Sequence, residues 1–314
     1  MSLKIALQID PIAKLNLKRD SSLLLAFEAQ QRGHSVSYFH PHELTFNSGK
    51  VSAPARKLHL TYTADGFAAE DSDKHVLDLS AVDVVLIRQD PPFDMSYITN
   101  THLLDQIADQ TLVLNNPSGI RNAVEKLIPL EFPELITPTL ITQDWSEIER
   151  FCHGQDEVII KPLYDFGGHS VFHVRPKEGQ LKSLYELLTR SYPGLPFIVQ
   201  PFLKVVLTGD KRLILIDGEL VGGYKRVPLK GEVRSNQLMG GTVEKCDLSA
   251  RDLEICKIIG PRLRELGLFF VGIDIIGDYL NEINVTSPTG LAALTELNGI
   301  KAESIFWDKV EKIM

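Results

Sequence analysis

The segment Asp274-Ile275-Ile276-Gly277-Asp278-Tyr279-Leu280-Asn281-Glu282-Ile283-Asn284-Val285 reads as a β-hairpin. An apolar run from Phe270 to Ile276 meets Gly277-Asp278, and a second run, Tyr279–Val285, leaves it. Glu282 and Asn284 stand at i and i+2 of a strand, so they share a face, about 6–7 Å apart along it. A carboxylate and an amide carbonyl on one face are hard oxygen donors suited to Mg²⁺, which takes few protein ligands and fills its shell with phosphate oxygens. The competing reading is a solvent-facing strand edge whose polar residues alternate with Ile283 and Val285. The hairpin also contains a conflict. A two-residue loop at Gly277-Asp278 pairs Asp274 with Asn281 and turns Glu282 and Asn284 to the other face. A metal shared by Asp274 and Glu282 demands a shift of one residue, by an odd-length loop or a bulge. That shift is expected, with turn chemistry giving way.

Working outward, Lys161 closes the apolar run Val158-Ile159-Ile160 and places a charge at a sheet edge. The turn Tyr164-Asp165-Phe166-Gly167-Gly168-His169 follows, and its backbone N–H groups suit a phosphate. Lys126 stands upstream on a predicted helix, Ile120–Leu127. Further cations cluster in Asp210-Lys211-Arg212, Lys225-Arg226 and Arg234 with Asn236. The stretch 226–241 is long for a compact domain, and such loops often serve as lids that exclude water. Each signal has a bland counterpart: an ordinary turn, a solvated lysine, a surface loop.

In the first half, strand Lys4–Ile9, helix Ser21–Arg32, a stop at Gly33 and strand Ser35–Phe39 open an α/β domain. Residues 45–75 are polar with weak periodicity and read as irregular strands and loops. A buried strand, Val82–Ile87, runs into Arg88-Gln89-Asp90-Pro91-Pro92-Phe93-Asp94. Ligands of open α/β sheets bind beyond the carboxyl ends of strands. Arg88 is thus a candidate for a ligand carboxylate or for an ion pair with Asp90 or Asp94. Ser22, at the start of the first helix, has a comparable position. A helix at Ser249–Leu266 and a single closing helix complete the second half.

The chain has 314 residues, enough for roughly two domains. Lys+Arg is 33 and Asp+Glu 41, a net charge of −8. An acidic chain with 44% apolar residues is neither disordered nor a general nucleic-acid binder. Cys152, Cys246 and Cys256 form no C-x-x-C pair, and reduced thiols in a cytoplasmic protein are expected. No signal peptide is read at the start, and the most apolar run, Leu266–Ile276, falls short of the ~18 residues of a membrane span. Motifs for dinucleotides, a P-loop, a serine hydrolase or a zinc protease are missing from the sequence.

Together these segments resemble the ATP-grasp superfamily, and within it the bacterial glutathione synthetases. The segments that carry the resemblance are Asp10-Pro11-Ile12, Arg88 to Asp94, Asn122 to Leu127, Ile160-Lys161-Pro162-Leu163, Gly209-Asp210-Lys211-Arg212, and Val271 to Asp278 running into Glu282-Ile283-Asn284-Val285-Thr286-Ser287-Pro288-Thr289. The likeness extends from the first strand to about residue 290. It implies an α/β chain of ATP-grasp architecture: a Rossmann-like N-terminal domain (1–120), then two α+β subdomains (121–200 and 201–314) that clamp ATP. The implied reaction joins γ-glutamylcysteine to glycine through an acyl phosphate and releases ADP and phosphate. The implied roles follow residue by residue. Lys126, Lys161, Gly167 and Gly168 meet the phosphates; Gln200, Phe202 and Leu203 line the adenine; Asp210 takes the ribose; Asn236 lies on the lid. Arg212, Arg226 and Arg234 are the catalytic cations. Ser22, Arg88, Asp90 and Ser287 hold the acid. Asp274, Glu282 and Asn284 hold Mg²⁺, with Mn²⁺ as an alternative. A cytoplasmic homo-oligomer, dimer or tetramer, is implied, with neither nucleic acid nor membrane as partner. Another ATP-grasp ligase, akin to D-alanine–D-alanine or glutamate ligases, is the alternative, followed by a non-catalytic nucleotide binder. The sequence departs from the family pattern at Gln89, usually a lysine; at Asp165-Phe166-Gly167-Gly168, more often Gly-Met-Gly-Gly; and at Gly290, where a cysteine is expected.

Overall fold

The computed structural model describes residues 2–165, 170–235 and 240–314. The chain opens with β1 (Lys4–Ile9), α1 (Ser21–Gln31), β2 (Ser35–Phe39), β3 (Thr45–Asn47), β4 (Lys50–Thr63), β5 (Gly66–Asp71) and β6 (His75–Asp78). Then come β7 (Val84–Arg88), α2 (Met95–Asp105), β8 (Leu112–Leu114) and α3 (Pro117–Asn122). Asp20 caps α1 by accepting from the Ser22 and Leu23 amides. The first sheet runs β3-β4-β2-β1-β7-β8, with β5 and β6 also on β4. Its β2-β1-β7-β8 part is parallel, as the opening α/β pattern predicts. The expectation for residues 45–75 is corrected: β4 is an unbroken strand of 14 residues. Its alternation is carried by Val51, Ala53 and Ala55, which are buried. Alanines bury little apolar surface, so they give a weak period-2 signal.

A second sheet is built from β9 (Leu140–Thr142), β10 (Val158–Pro162), β11 (Phe172–Val174) and β12 (Phe197–Pro201), in the order β11-β10-β12-β9. Helices α4 (Trp145–Cys152) and α5 (Leu181–Ser191) pack on it. Ile148, Val158, Ile160, Leu188 and Val199 form a core of their own there. The predicted helix Ile120–Leu127 ends early, at Asn122. The following chain runs beside the last strand of the third sheet instead, where the Ile283 amide donates to the Glu125 carbonyl at 3.1 Å and the Leu280 amide to that of Leu135 at 2.8 Å. Backbone groups that gain partners across a sheet edge need none from a helix.

The third sheet is β13 (Asp210–Ile216), β14 (Glu219–Val227), β15 (Thr242–Glu244), β16 (Phe270–Ile276) and β17 (Tyr279–Asn284), in the order β15-β14-β13-β16-β17. Helix α6 (Ala250–Glu265) is capped by Ser249. The closing segment is two helices, α7 (Leu291–Asn298) and α8 (Ala302–Ile313), not one. Gly299, at φ 69°, breaks them. α8 returns to the first domain, where the Trp307 indole donates to the Leu25 carbonyl at 2.8 Å. Cys152, Cys246 and Cys256 are unpaired. No described helix is long and apolar enough to cross a membrane.

The first and third sheets share one apolar core that includes Val85, Ile87, Ile259, Val271 and Ile283. Asn115, just past β8, stitches them together. Its amide donates to the carbonyls of Phe270 at 2.8 Å and Val285 at 2.7 Å, and its oxygen accepts from the Phe270 amide at 2.7 Å. Asn115→Ala leaves three buried backbone groups without partners. It should lower stability by at least about 2 kcal/mol, read as the midpoint of denaturant unfolding followed by tryptophan fluorescence. An unchanged midpoint would show that the shared core alone joins the sheets.

Candidate active site

The β16–β17 register decides which side chains face the site. Ile276 pairs with Tyr279 and Ile275 with Leu280, so the two-residue turn survives, with Gly277 at φ 61°. The register then shifts, and Asp274 lies opposite Glu282. The expected shift therefore occurs, but through a bulge at Asn281 rather than by loss of the turn. On the other side, Asp274 faces Arg212 of β13, and Arg212 faces Tyr224 of β14. Directly paired residues point to one face. Tyr224, Arg212, Asp274 and Glu282 thus form a row across four strands. Arg226, two residues beyond Tyr224, faces Asp210.

The centre of this row is a buried charge network. Arg212 donates through Nε to Asp274 Oδ1 at 2.5 Å and through Nη2 to Oδ2 at 3.0 Å. Arg226 lies 3.0 Å from Asp274 Oδ2, and it grips Asp210 through Nε at 3.0 Å and through Nη2. The Ser235 hydroxyl donates to the same Asp210 at 2.6 Å. Burial on its own raises the Asp274 pKa, but the two guanidiniums outweigh it and hold the carboxyl below its ordinary value.

A cleft of about 700 Å³ opens above the row. Lys161, at the end of β10, reaches in from the second sheet, its Nζ 3.4 Å from Glu282 Oε1 and from Asn281 Oδ1. Burial lowers its pKa, and Glu282 offsets part of that. Lys126 donates to the carbonyls of Leu163 and Asp165, and so rests on the turn after β10. Gln200, Phe202 and Leu203 line the same cleft. The Phe202 ring stacks on His173 at 3.9 Å between centroids, and His173 is held by Glu157. Arg234 lines the cleft and pairs with Glu232 at 2.6 Å. Asp90, Ser287 and Asn284 complete the wall. The Asn284 amide donates to Gly272 O at 3.1 Å and to Asp274 Oδ2 at 3.4 Å.

Most of the predicted site residues therefore converge. Gly167, Gly168 and Asn236 lie outside the described residues. Ser22 and Arg88 sit behind the wall rather than on it. Arg88 is 4% exposed and makes neither of the expected ion pairs with Asp90 and Asp94. Its Nε donates to the Ser22 hydroxyl at 3.0 Å and its Nη2 to the Pro288 carbonyl at 2.7 Å, over the Phe270 ring. It ties the 287–289 loop to the first sheet. Of the residues on the cleft wall that were not foreseen, Tyr224, Glu125 and Thr289 bear most on the site. Tyr224 belongs to the row, and its spacing of two from Arg226 was the available signal. Glu125 accepts from the Thr286 hydroxyl at 2.8 Å, and desolvation pushes its carboxyl up against that bond. Thr289 lines the cleft beside Pro288.

Among the described residues, no group of three or more His, Cys, Asp or Glu side chains gathers at metal-binding spacing. The donor set that is present, two carboxylates and one amide oxygen beside a cationic cleft, is an oxygen set that fits a hard divalent cation completed by phosphate.

Three sheets, a buried arginine–carboxylate row and two lysines over one cleft define an ATP-grasp ligase. Solved structures of that fold cover the whole chain. A D-cycloserine synthetase aligns with TM-score 0.67 at 14% identity, covering 98% of this chain and 99% of its own. D-alanyl-alanine synthetase A from Vibrio cholerae aligns with TM-score 0.61, covering 99% and 98%. At such identities the likeness speaks to the fold alone. The model of the prokaryotic glutathione synthetase N-terminal domain matches residues 3–121, and that of the ATP-grasp domain matches 125–299. The glutathione synthetase of Rhodopseudomonas palustris is 46% identical over 99% of both chains, and that of Vibrio parahaemolyticus 36% over 99% and 98%. The chain belongs to the prokaryotic glutathione synthetase family.

Arg88→Lys keeps the charge but loses the planar fork. Its two donated bonds should go, at about 1–3 kcal/mol of stability, measured as a lower unfolding midpoint. A midpoint equal to wild type would remove the tie between Arg88 and the 287–289 loop.

Proposed function

We propose that this cleft joins γ-glutamylcysteine to glycine, driven by ATP. The chain is an ATP-dependent ligase that makes glutathione. The observation that best supports the reading is the row Arg212–Asp274–Glu282, which faces Lys126 and Lys161 across the cleft. A carboxylate is a poor acyl electrophile. Its oxygen attacks the γ-phosphorus of ATP, ADP leaves, and the acyl phosphate carries a good leaving group. The glycine amine then attacks the acyl carbon, phosphate departs and the new amide nitrogen loses a proton. Phosphoryl transfer asks for positioning and charge neutralisation rather than a covalent enzyme intermediate.

Each residue group has a part in this. Lys126 and Lys161 hold the α- and β-phosphates, with Gly167 and Gly168 as backbone donors. Gln200, Phe202 and Leu203 take the adenine. Asp210 takes the ribose by exchanging Ser235 or Arg226 for a sugar hydroxyl. Arg212 and Arg226 stabilise the transferring phosphoryl group, and Arg234, with Asn236, covers it and excludes water. Asp90 and Ser287 receive the acid on the wall that Arg88 and Ser22 brace. Glu282, Asn284 and Asp274 would hold the divalent cation, Mg²⁺ with Mn²⁺ as the alternative, which supplies charge neutralisation at the phosphates. The division at 120 and 200, a cytoplasmic setting and a homo-oligomer belong to the same reading.

ADP release should need ATP, Mg²⁺, γ-glutamylcysteine and glycine together, and should fall to background when either co-substrate is omitted. Equal ADP release without glycine would rule out the ligase. Glu282→Gln should fold as wild type and lose on the order of 10²-fold in kcat. A kcat within a few-fold of wild type at saturating Mg²⁺ would strike Glu282 from the metal ligands.

A further inference from the structure

Tyr224 is the member of the row to which the proposed roles give no part. Its cross-strand neighbour is Arg212, and Arg226 stands two residues along the same strand on the same face. It is 2% exposed, yet it lines the cleft. Its hydroxyl makes no hydrogen bond among the described residues. The hydroxyl is not sealed from water but opens on the cleft, where it is free to donate to a ligand acceptor.

The position of that hydroxyl is specific. It abuts Gly290, the residue after Ser287-Pro288-Thr289. Gly290 has φ +120°, and a Cβ there would collide with the hydroxyl and lie 3.0 and 3.1 Å from ring atoms Cε1 and Cζ. The residue that closes the acid-binding loop has no side chain where Tyr224 brings one in. The loop itself is fixed, by Arg88 on the Pro288 carbonyl and by the Ser21 hydroxyl, which accepts from the Gly290 amide at 3.2 Å. The hydroxyl thus lies between the two arginines of the row and the loop that receives the acid. In the reaction proposed above, the carboxylate that attacks the γ-phosphorus lies between those same groups. An ionised carboxylate is an acceptor only, and Tyr224 offers a donor.

We infer that Tyr224 is a substrate-contacting residue whose hydroxyl donates a hydrogen bond to the reacting carboxylate of γ-glutamylcysteine, an assignment that rests on the reaction proposed above. Tyr224→Phe in the full-length chain tests it, because it keeps the ring against Gly290 and removes only the donor. The value of kcat/KM for γ-glutamylcysteine, at saturating ATP, Mg²⁺ and glycine, should fall roughly three- to ten-fold. The KM for ATP should stay within about two-fold and the thermal midpoint within about 2 °C. Unchanged kcat/KM for the acid overturns the inference. So does a lowered midpoint with equal losses for acid and ATP, which marks a packing role. Wild-type enzyme that fails to turn over the acid and glycine overturns the proposed reaction and this inference together. Wild-type turnover with an unaffected Tyr224→Phe overturns the inference alone.

Discussion

Two guanidiniums and two carboxylates buried at the centre of the third sheet set the terms for everything around them. Arg212 and Arg226 share Asp274, and Arg226 also holds Asp210. Such a group is tolerable in a protein interior only when its charges balance and its donors and acceptors are met. Here two cations meet two anions. Neither arginine is a free charge waiting for phosphate. Each is preoriented by a carboxylate, and an incoming phosphate must exchange with that carboxylate as well as with water. Rigid placement at a modest exchange cost is how a site can discriminate a developing charge from a resting one.

That constraint propagates into the fold. The row needs four strands in one register, and a slip of one residue would turn Glu282 to the opposite face. The bulge at Asn281 fixes the register at one edge of the row, while the turn before it remains short. The row also faces the cleft wall that Asp90 and the 287–289 loop contribute. Asn115 and the shared core set that relation, and Arg88 carries it to the 287–289 loop. The second sheet has a separate core and brings Lys161 from the other side. Lys161, proposed above to bind phosphate, and the face proposed to hold the metal thus come from units with separate cores, which is what a clamp requires.

How much of this was readable depended on which physical signal each residue leaves in a sequence. Glu282 and Asn284 interrupt an apolar strand at spacing two, and a charge at that period stands out. Lys161 and Arg88 terminate buried runs, so their positions at strand ends were legible, although the partners of Arg88 were not. Those partners are a hydroxyl 66 positions away and a carbonyl 200 positions away. Tyr224 was hidden because an aromatic residue in a strand looks like core. Glu125 was hidden by the helical reading of its segment, which backbone bonds to β17 override. β4 was obscured by alanines, and the break at Gly299 was passed over inside an otherwise helical pattern.

The three departures from the family pattern show what the sequence alone could not judge. Gln89 accepts from Asn100 at 3.1 Å and from Gln8 at 3.4 Å, so an amide cluster occupies the place where a lysine was expected. The Asp165 carboxylate accepts from the Tyr192 hydroxyl at 2.7 Å while its carbonyl receives Lys126. Gly290 leaves room that Tyr224 fills. Gln89, Asp165 and Gly290 each have a partner that suits them, and a substitution met by its neighbour is a different contact rather than a lost one. Gln89 precedes Asp90 and Gly290 follows Thr289, both on the wall proposed above to receive the acid, and Asp165 lies on the turn that meets Lys126. The Arg212–Asp274–Glu282 row has no such substitution. On the proposed assignment, phosphoryl transfer fixes the charges at that row, whereas the side proposed for the acid needs only complementary shape and donors, which several pairs of residues can supply.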